Sequence, residues 1–236
     1  MRQLLRAGGE VDLFEAYSRP GPGLRVNFVS SADGAATIDG RSEGLSSPAD
    51  KLLFRALRAM ADVVVVGAGT ARIEGYGPVK LSAEHQAWRT SQGMPPVPPL
   101  AVVSGSLALD PASRLFAEAA VRPLVLTGGH PALPAARALS VVADLIIGNS
   151  ATAWVAELAG RGLTRILCEG GPRLFGTLLT ADLVDELCLT IAPLLGRRPA
   201  PGIAEQAAGA VPTRLRLLHV LEDDGFLFLR YVARRS

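Results

Sequence analysis

The sequence predicts an α/β fold, a mostly parallel sheet covered by helices on both faces and closed by an antiparallel C-terminal hairpin. Three observations carry this expectation. The runs VVVV (63–66) and LVLT (124–127) are apolar without polar alternation, the pattern of strands buried on both faces. Helical segments alternate with such strands, as parallel crossovers require. Near the C-terminus two strand-like runs flank Asp223-Asp224-Gly225, a hairpin turn signal. The 236 residues, 49% of them hydrophobic, suit one domain over 1–236 with a sizeable core.

The first strand is LRVNFVSSADG (24–34), followed by a polar, glycine-rich loop to Ser47. Pro48 then opens the helix PADKLLFRALRAMA, in which Leu52, Leu53, Ala56, Leu57 and Met60 recur at helical spacing. Ser46 or Ser47 is its N-cap, with proline in the first turn. A strand over 62–67 leads into a short helix after Thr70. The stretch ending in MPPVPP reads as a surface loop, because a strand, LAVVS (100–104), resumes at once. Further strands lie in VRPLVLTGG and LSVVADLIIG. A helix from about 152 to 160 leads into TRILCEGG, and one from about 172 to 179 into VDELCLTIAP. The hairpin strands span about 214–221 and 225–233.

Composition removes several function classes. The 24 basic and 22 acidic residues are interspersed, giving a net charge of +2, and no basic stripe with interleaved aromatics suggests nucleic acid. Cys168 and Cys188 sit in apolar strand-like runs and read as reduced core thiols, which fits a cytoplasmic protein. His85, His130 and His219 are scattered, so no metal site is expected. The N-terminus lacks the apolar core of a signal peptide, and no run approaches the ~18 apolar residues of a membrane span.

In parallel sheets, ligands sit beyond the carboxyl ends of the strands. Those ends read SSADG (30–34), GAGT (67–70), SGS (104–106), TGGH (127–130), GNS (148–150) and CEGG (168–171), each small and polar. GAGT is not a Rossmann fingerprint, because Arg72 stands where the third glycine would allow close helix packing. CEGGPRLFG is the sharpest signal. Gly170 and Gly171 permit a tight turn, and Pro172 starts a helix whose free N–H groups favour a phosphate, with Arg173 beside them. Glu169 is either a solvated carboxylate or an acceptor for a donor-rich aminopyrimidine. Asp33 either bonds its own turn or orients a substrate.

Taken together, NFVSSADGAA, SSPADKLLFRALRAMADVVVVGAGTARIEGYGP and ILCEGGPRLFGTLLTADLVDELCLTIAPLLG resemble the pyrimidine reductase of riboflavin biosynthesis. That is the reductase domain of the bifunctional deaminase-reductase, here in stand-alone form, and it has the dihydrofolate-reductase fold. The resemblance runs from about residue 20 to the C-terminus. It implies NADPH, a homodimer, and reduction of the ribosyl group of 5-amino-6-(5-phosphoribosylamino)uracil to ribityl by hydride transfer to C1′. It places Thr70 and the turn Gly171-Pro172-Arg173-Leu174-Phe175-Gly176 at the cofactor, and Gly69, Glu74, Ser104, Thr127 and Gly170 join them as cofactor-site candidates from the neighbouring segments. It places Ser42, Arg58 and Glu169 at the substrate; Asp33, at the end of the first strand, is a further substrate-site residue and the candidate for a catalytic group.

The sequence departs from the family pattern at several positions. Asn27 stands where many members have lysine, Glu74 where they have aspartate, and Ser104 where they have an acid. EGYGPVK replaces the usual D-N-P-x-L-x-x-R, which makes Lys80 the candidate substitute for the arginine. No H-x-E with P-C-x-x-C is present, so deamination is not expected of this chain. Two other readings stand beside the leading one: a paralogous reductase of another pteridine-like substrate such as dihydrofolate, and a non-catalytic NADPH-binding protein.

Overall fold

The computed structural model describes residues 9–19, 21–129, 133–196, 200–205 and 212–234. His130 lies outside them. A short helix α1 (Leu13–Tyr17) precedes β1 (Gly23–Ser31), α2 (Pro48–Met60), β2 (Val63–Gly67), α3 (Ala68–Ile73) and α4 (Ala83–Ser91). Then come β3 (Leu100–Val103), α5 (Arg114–Ala117), β4 (Leu124–Thr127), α6 (Leu133–Val142), β5 (Asp144–Ile147) and α7 (Ala151–Gly160). β6 (Arg165–Cys168), α8 (Pro172–Thr180), β7 (Glu186–Ala192), β8 (Leu215–Asp223) and β9 (Phe226–Ala233) complete the chain.

These nine strands form one sheet in the order β5-β4-β3-β2-β6-β1-β7-β9-β8. The pairings from β5 across to β7 are parallel, while β9 runs antiparallel to both β7 and β8. The expected mixed architecture is therefore present. The hairpin turns at Asp224 (φ 49°) and Gly225 (φ 80°), two consecutive left-handed residues as a type I′ turn requires.

The valines of β2 show why the central strands carry no polar alternation. Val64 and Val66 join a core with Leu53 and Leu57 of α2, while Val63 and Val65 join a second core with Leu158 of α7 and Leu174 and Phe175 of α8. Successive side chains point to opposite faces, and both faces are covered. Ser47 caps α2 by accepting from the Asp50 N–H at 3.0 Å, with Pro48 at its first turn.

Two expectations shift. α3 begins at Ala68, directly after β2, rather than after Thr70. In LSVVADLIIG the first half belongs to α6, where Leu139 packs into the core, and only Asp144–Ile147 is strand. A short apolar run cannot by itself be told from a buried helix segment. Helix α4 lies in a stretch read as loop; its Ser82 N-cap accepts from the His85 N–H at 3.2 Å. Cys168 and Cys188 are free and buried as expected, and burial pushes each thiol up to about 12.

A buried charge cluster pins the hairpin and α1 to the sheet. Glu186 of β7 meets the Arg25 guanidinium of β1 at 3.0 Å and that of Arg230 of β9 at 2.7 Å. The same arginines donate to the Tyr17 carbonyl at 2.7 Å and the Ser18 carbonyl at 2.9 Å, at the carboxyl end of α1. Burial raises the Glu186 pKa, but the two guanidiniums outweigh it and leave it lowered. A depressed folded-state pKa contributes stability above the ordinary carboxylate range, and that stability is lost as pH falls through the folded value. Glu186→Ala leaves two buried cations uncompensated and is expected to cost about 3–5 kcal/mol in urea unfolding at neutral pH. A loss under about 1 kcal/mol would show the cluster to be dispensable.

Candidate active site

The strand order reverses around β6. The chain crosses from β1 to β2, winds outward through β3, β4 and β5, and returns to insert β6 between β2 and β1. Such a switch point opens a crevice at the carboxyl ends of the strands. A cavity of about 690 Å³ lies there. Its walls are Asn27 and Phe28 of β1, Thr70 of α3, the face of α2 carrying Lys51, Phe54 and Arg58, Tyr76, and the turn that supplies Glu169, Gly171 and Pro172.

Glu169 and Arg58 meet at the base of this cavity. The Arg58 Nε donates to Glu169 Oε1 at 2.7 Å and its Nη2 to Oε2 at 2.8 Å, a two-pronged pair. The Tyr76 hydroxyl donates to Oε2 at 3.0 Å. The guanidinium lies 4.2 Å from the Phe54 ring centroid and 5.6 Å from that of Tyr76. The Glu169 side chain is 1% exposed and that of Arg58 15%. Burial works against the Arg58 charge, but Glu169 more than compensates and its pKa is raised. Burial, then the Glu169 charge, holds the Tyr76 phenol well above its ordinary value, so it remains a donor.

The glycine turn follows Glu169 directly. Gly170 has φ +86°, and a Cβ there would lie 2.5 Å from the Phe28 ring. A Cβ on Gly171 would collide with Oγ1 of Thr70. The Gly170–Gly171 peptide is cis, and the Gly67 N–H donates to the Gly170 carbonyl at 2.7 Å, tying this turn to the end of β2. Gly171 is the N-cap of α8 and brings no side-chain cap; Pro172 has no N–H, so the uncapped donors of the first turn are the Arg173 and Leu174 N–H groups. Both glycines therefore let the main chain pack directly against Phe28 and Thr70, and a helix start without a side-chain cap beside them suits the phosphates of a dinucleotide.

The remaining sequence-derived residues fall into three groups. Ser42 and Glu74 line the cavity with Arg58, Thr70, Glu169, Gly171 and Pro172, and the Ser42 N–H donates to Glu74 Oε1 at 2.8 Å. Leu174 and Phe175 bury their side chains in the core, Phe175 stacking 5.3 Å from Phe28, and the Arg173 side chain is exposed near Glu205. Ser104 and Thr127 are buried at the ends of β3 and β4, outside the lining of this cavity, and the exposed Gly69 is also outside it.

Asp33 does not line the cavity either. Its Oδ1 accepts from the Ser31 hydroxyl at 2.5 Å and from the Gly196 N–H at 2.8 Å, which joins the end of β1 to the segment after β7. This is the turn-bonding role of an Asp-Gly pair. Lys80 pairs with Glu118 at 3.3 Å on the surface and is not among the lining residues. The sequence reading missed Tyr76, Phe54 and Lys51. The last two could have been found with Arg58 at i, i+3 and i+7, on the helix face opposite Leu53 and Leu57. Among the described residues, no group of His, Cys, Asp and Glu could hold a metal ion, and no helix is long and apolar enough to cross a membrane.

Because Glu169 is buried, removing its partner should be worse than removing both. Arg58→Ala is expected to lower stability by about 3–5 kcal/mol, with much of the loss recovered in Arg58→Met/Glu169→Leu. Chemical denaturation of the single and double variants checks this; additive losses would refute the coupling.

The chain matches the RibD C-terminal domain family over residues 22–227. It is 31% identical to a pyrimidine reductase-like protein from Corynebacterium diphtheriae of known crystal structure, with a TM-score of 0.83 over 96% of each chain. It is 27% identical to the 2,5-diamino-6-ribosylamino-4(3H)-pyrimidinone 5′-phosphate reductase of Archaeoglobus fulgidus, over 78% of this chain and 86% of that protein. It is 28% identical to the riboflavin biosynthesis protein RibD of Mycobacterium tuberculosis over 83% of its own length, and spans 49% of that longer protein. The chain belongs to the RibD C-terminal domain family.

Proposed function

We propose that the protein is an NADPH-dependent reductase of riboflavin biosynthesis, acting on a phosphoribosylated aminopyrimidine and converting its ribosyl group to ribityl. The observation that carries this reading is the construction of the cavity. The glycine turn at the start of α8 and the Arg58–Glu169–Tyr76 unit line one space of about 690 Å³, within the range of small-molecule and cofactor sites.

The nicotinamide supplies the hydride when the dinucleotide is bound. The Gly170–Gly171 turn and the Arg173 and Leu174 N–H groups at the start of α8 would hold its phosphates, with Thr70 beside them. Glu169, already accepting three hydrogen bonds, keeps one acceptor site on Oε1 for a pyrimidine N–H. Arg58 and Tyr76 hold that carboxylate in one orientation.

In the substrate, opening of the ribosylamine ring breaks the C1′–O4′ bond, its electron pair going to O4′, which takes up the proton lost from the glycosidic N–H to become the 4′-hydroxyl, and leaves a neutral C1′=N bond. Hydride adds to C1′ and a proton from water adds to the nitrogen, giving the ribityl amine. The walls of the cavity keep donor and acceptor in contact and limit water. The Ser42 N–H bond to Glu74 ties the loop after β1 to the end of α3 within the lining. Ser104 and Thr127, at the ends of β3 and β4, remain candidates for further cofactor contacts. A homodimer, implied by the family resemblance, is checked by light scattering.

The test is NADPH oxidation with the phosphoribosylaminouracil, its 2,5-diaminopyrimidinone counterpart and dihydrofolate offered in parallel. Turnover of either phosphoribosylated compound, and not of dihydrofolate, is the expected result. Gly171→Val should abolish NADPH binding in calorimetry, because its side chain collides with Thr70 and displaces the turn at the start of α8. Unchanged affinity in a folded Gly171→Val variant would refute this phosphate site.

A further inference from the structure

The cavity presents a charge problem for a phosphorylated substrate. Its lining includes Glu43, Asp50, Glu74 and Glu205 in addition to the Arg58–Glu169 pair. Arg58 has two of its nitrogens committed to Glu169, so the pair is close to neutral toward a ligand. Among the described residues, the only other cation in the lining is Lys51. No ion pair among those residues engages its ammonium, whereas Lys80 is taken up by Glu118. Its neighbour Asp50 is engaged by the Ser46 hydroxyl at 2.6 Å.

Resting on the reductase reading above, we propose that Lys51 binds the 5′-phosphate of the substrate and sets the preference for phosphorylated over dephosphorylated pyrimidines. Lys51 and Arg58 are seven residues apart on one face of α2, about 10 Å along its axis. That is the order of length of a nucleotide, so a base held at Glu169 brings its phosphate to the rim where Lys51 stands. Lys51 also lies in the first turn of α2, where the helix dipole favours an anion. An ammonium on a flexible stem serves a phosphate as a point charge.

The experiment compares the full chain with Lys51→Ala and Lys51→Arg, using the phosphoribosylaminouracil and its dephosphorylated counterpart. Lys51→Ala should raise KM for the phosphorylated substrate ~10–100-fold while leaving KM for the dephosphorylated one and for NADPH near the parent values. Lys51→Arg should restore most of the loss. An equal rise for both pyrimidines, no rise for either, or a rise confined to NADPH would overturn the assignment. Absence of turnover in the unmodified protein would instead reject the reductase reading. In that case calorimetric titration with ribose 5-phosphate judges Lys51 separately: binding lost in Lys51→Ala supports it, and unchanged or absent binding overturns it.

Discussion

The Arg58–Glu169 pair is the constraint around which the rest is arranged. It joins the helix that crosses over from β1 to the carboxyl end of β6, the strand inserted last at the centre of the sheet. A buried carboxylate held by two prongs of a guanidinium is costly to disrupt from either side, so α2 cannot shift relative to β6 without exposing an uncompensated charge. Tyr76 extends the same unit to the segment after α3. One interaction thus fixes three of the walls of the cavity.

The adjoining turn is held by backbone rather than by charge. Gly170 and Gly171 bring the main chain against Phe28 and Thr70 so closely that side chains are excluded. A carboxylate held in one orientation and, next to it, a helix start without a side-chain cap are chemically distinct: one suits an N–H-rich ring, the other a pyrophosphate. The buried cluster of Glu186, Arg25 and Arg230 lies at the far ends of the strands and serves the fold, tying α1 and the hairpin to the sheet.

Much of this was legible in the sequence. The both-faces-buried valines, the proline-started helices after Ser47 and Gly171, and the Asp-Gly hairpin are local signals, and each element appears where its signal lies. The strand-end position of Glu169 and the small residues of GAGT and CEGG marked the mouth of the cavity. Asp33 was harder: an Asp-Gly turn and a substrate carboxylate look alike in one dimension, and its bonds to Ser31 and Gly196 lie outside the cavity. Leu174 and Phe175 belong to a cofactor-like turn by sequence but face the core by helical phase.

What the sequence determined by itself is whatever depends on neighbours within a few residues: strand and helix identity, caps, turns, and the glycines that allow a close approach. Only the tertiary structure decided which charges meet. Arg58 and Glu169 are 111 residues apart, and nothing local distinguishes an arginine committed to a carboxylate from one left for a phosphate. Partner choice among charges is set by the strand order that brings β6 beside α2, and that order is a long-range property of the packed sheet.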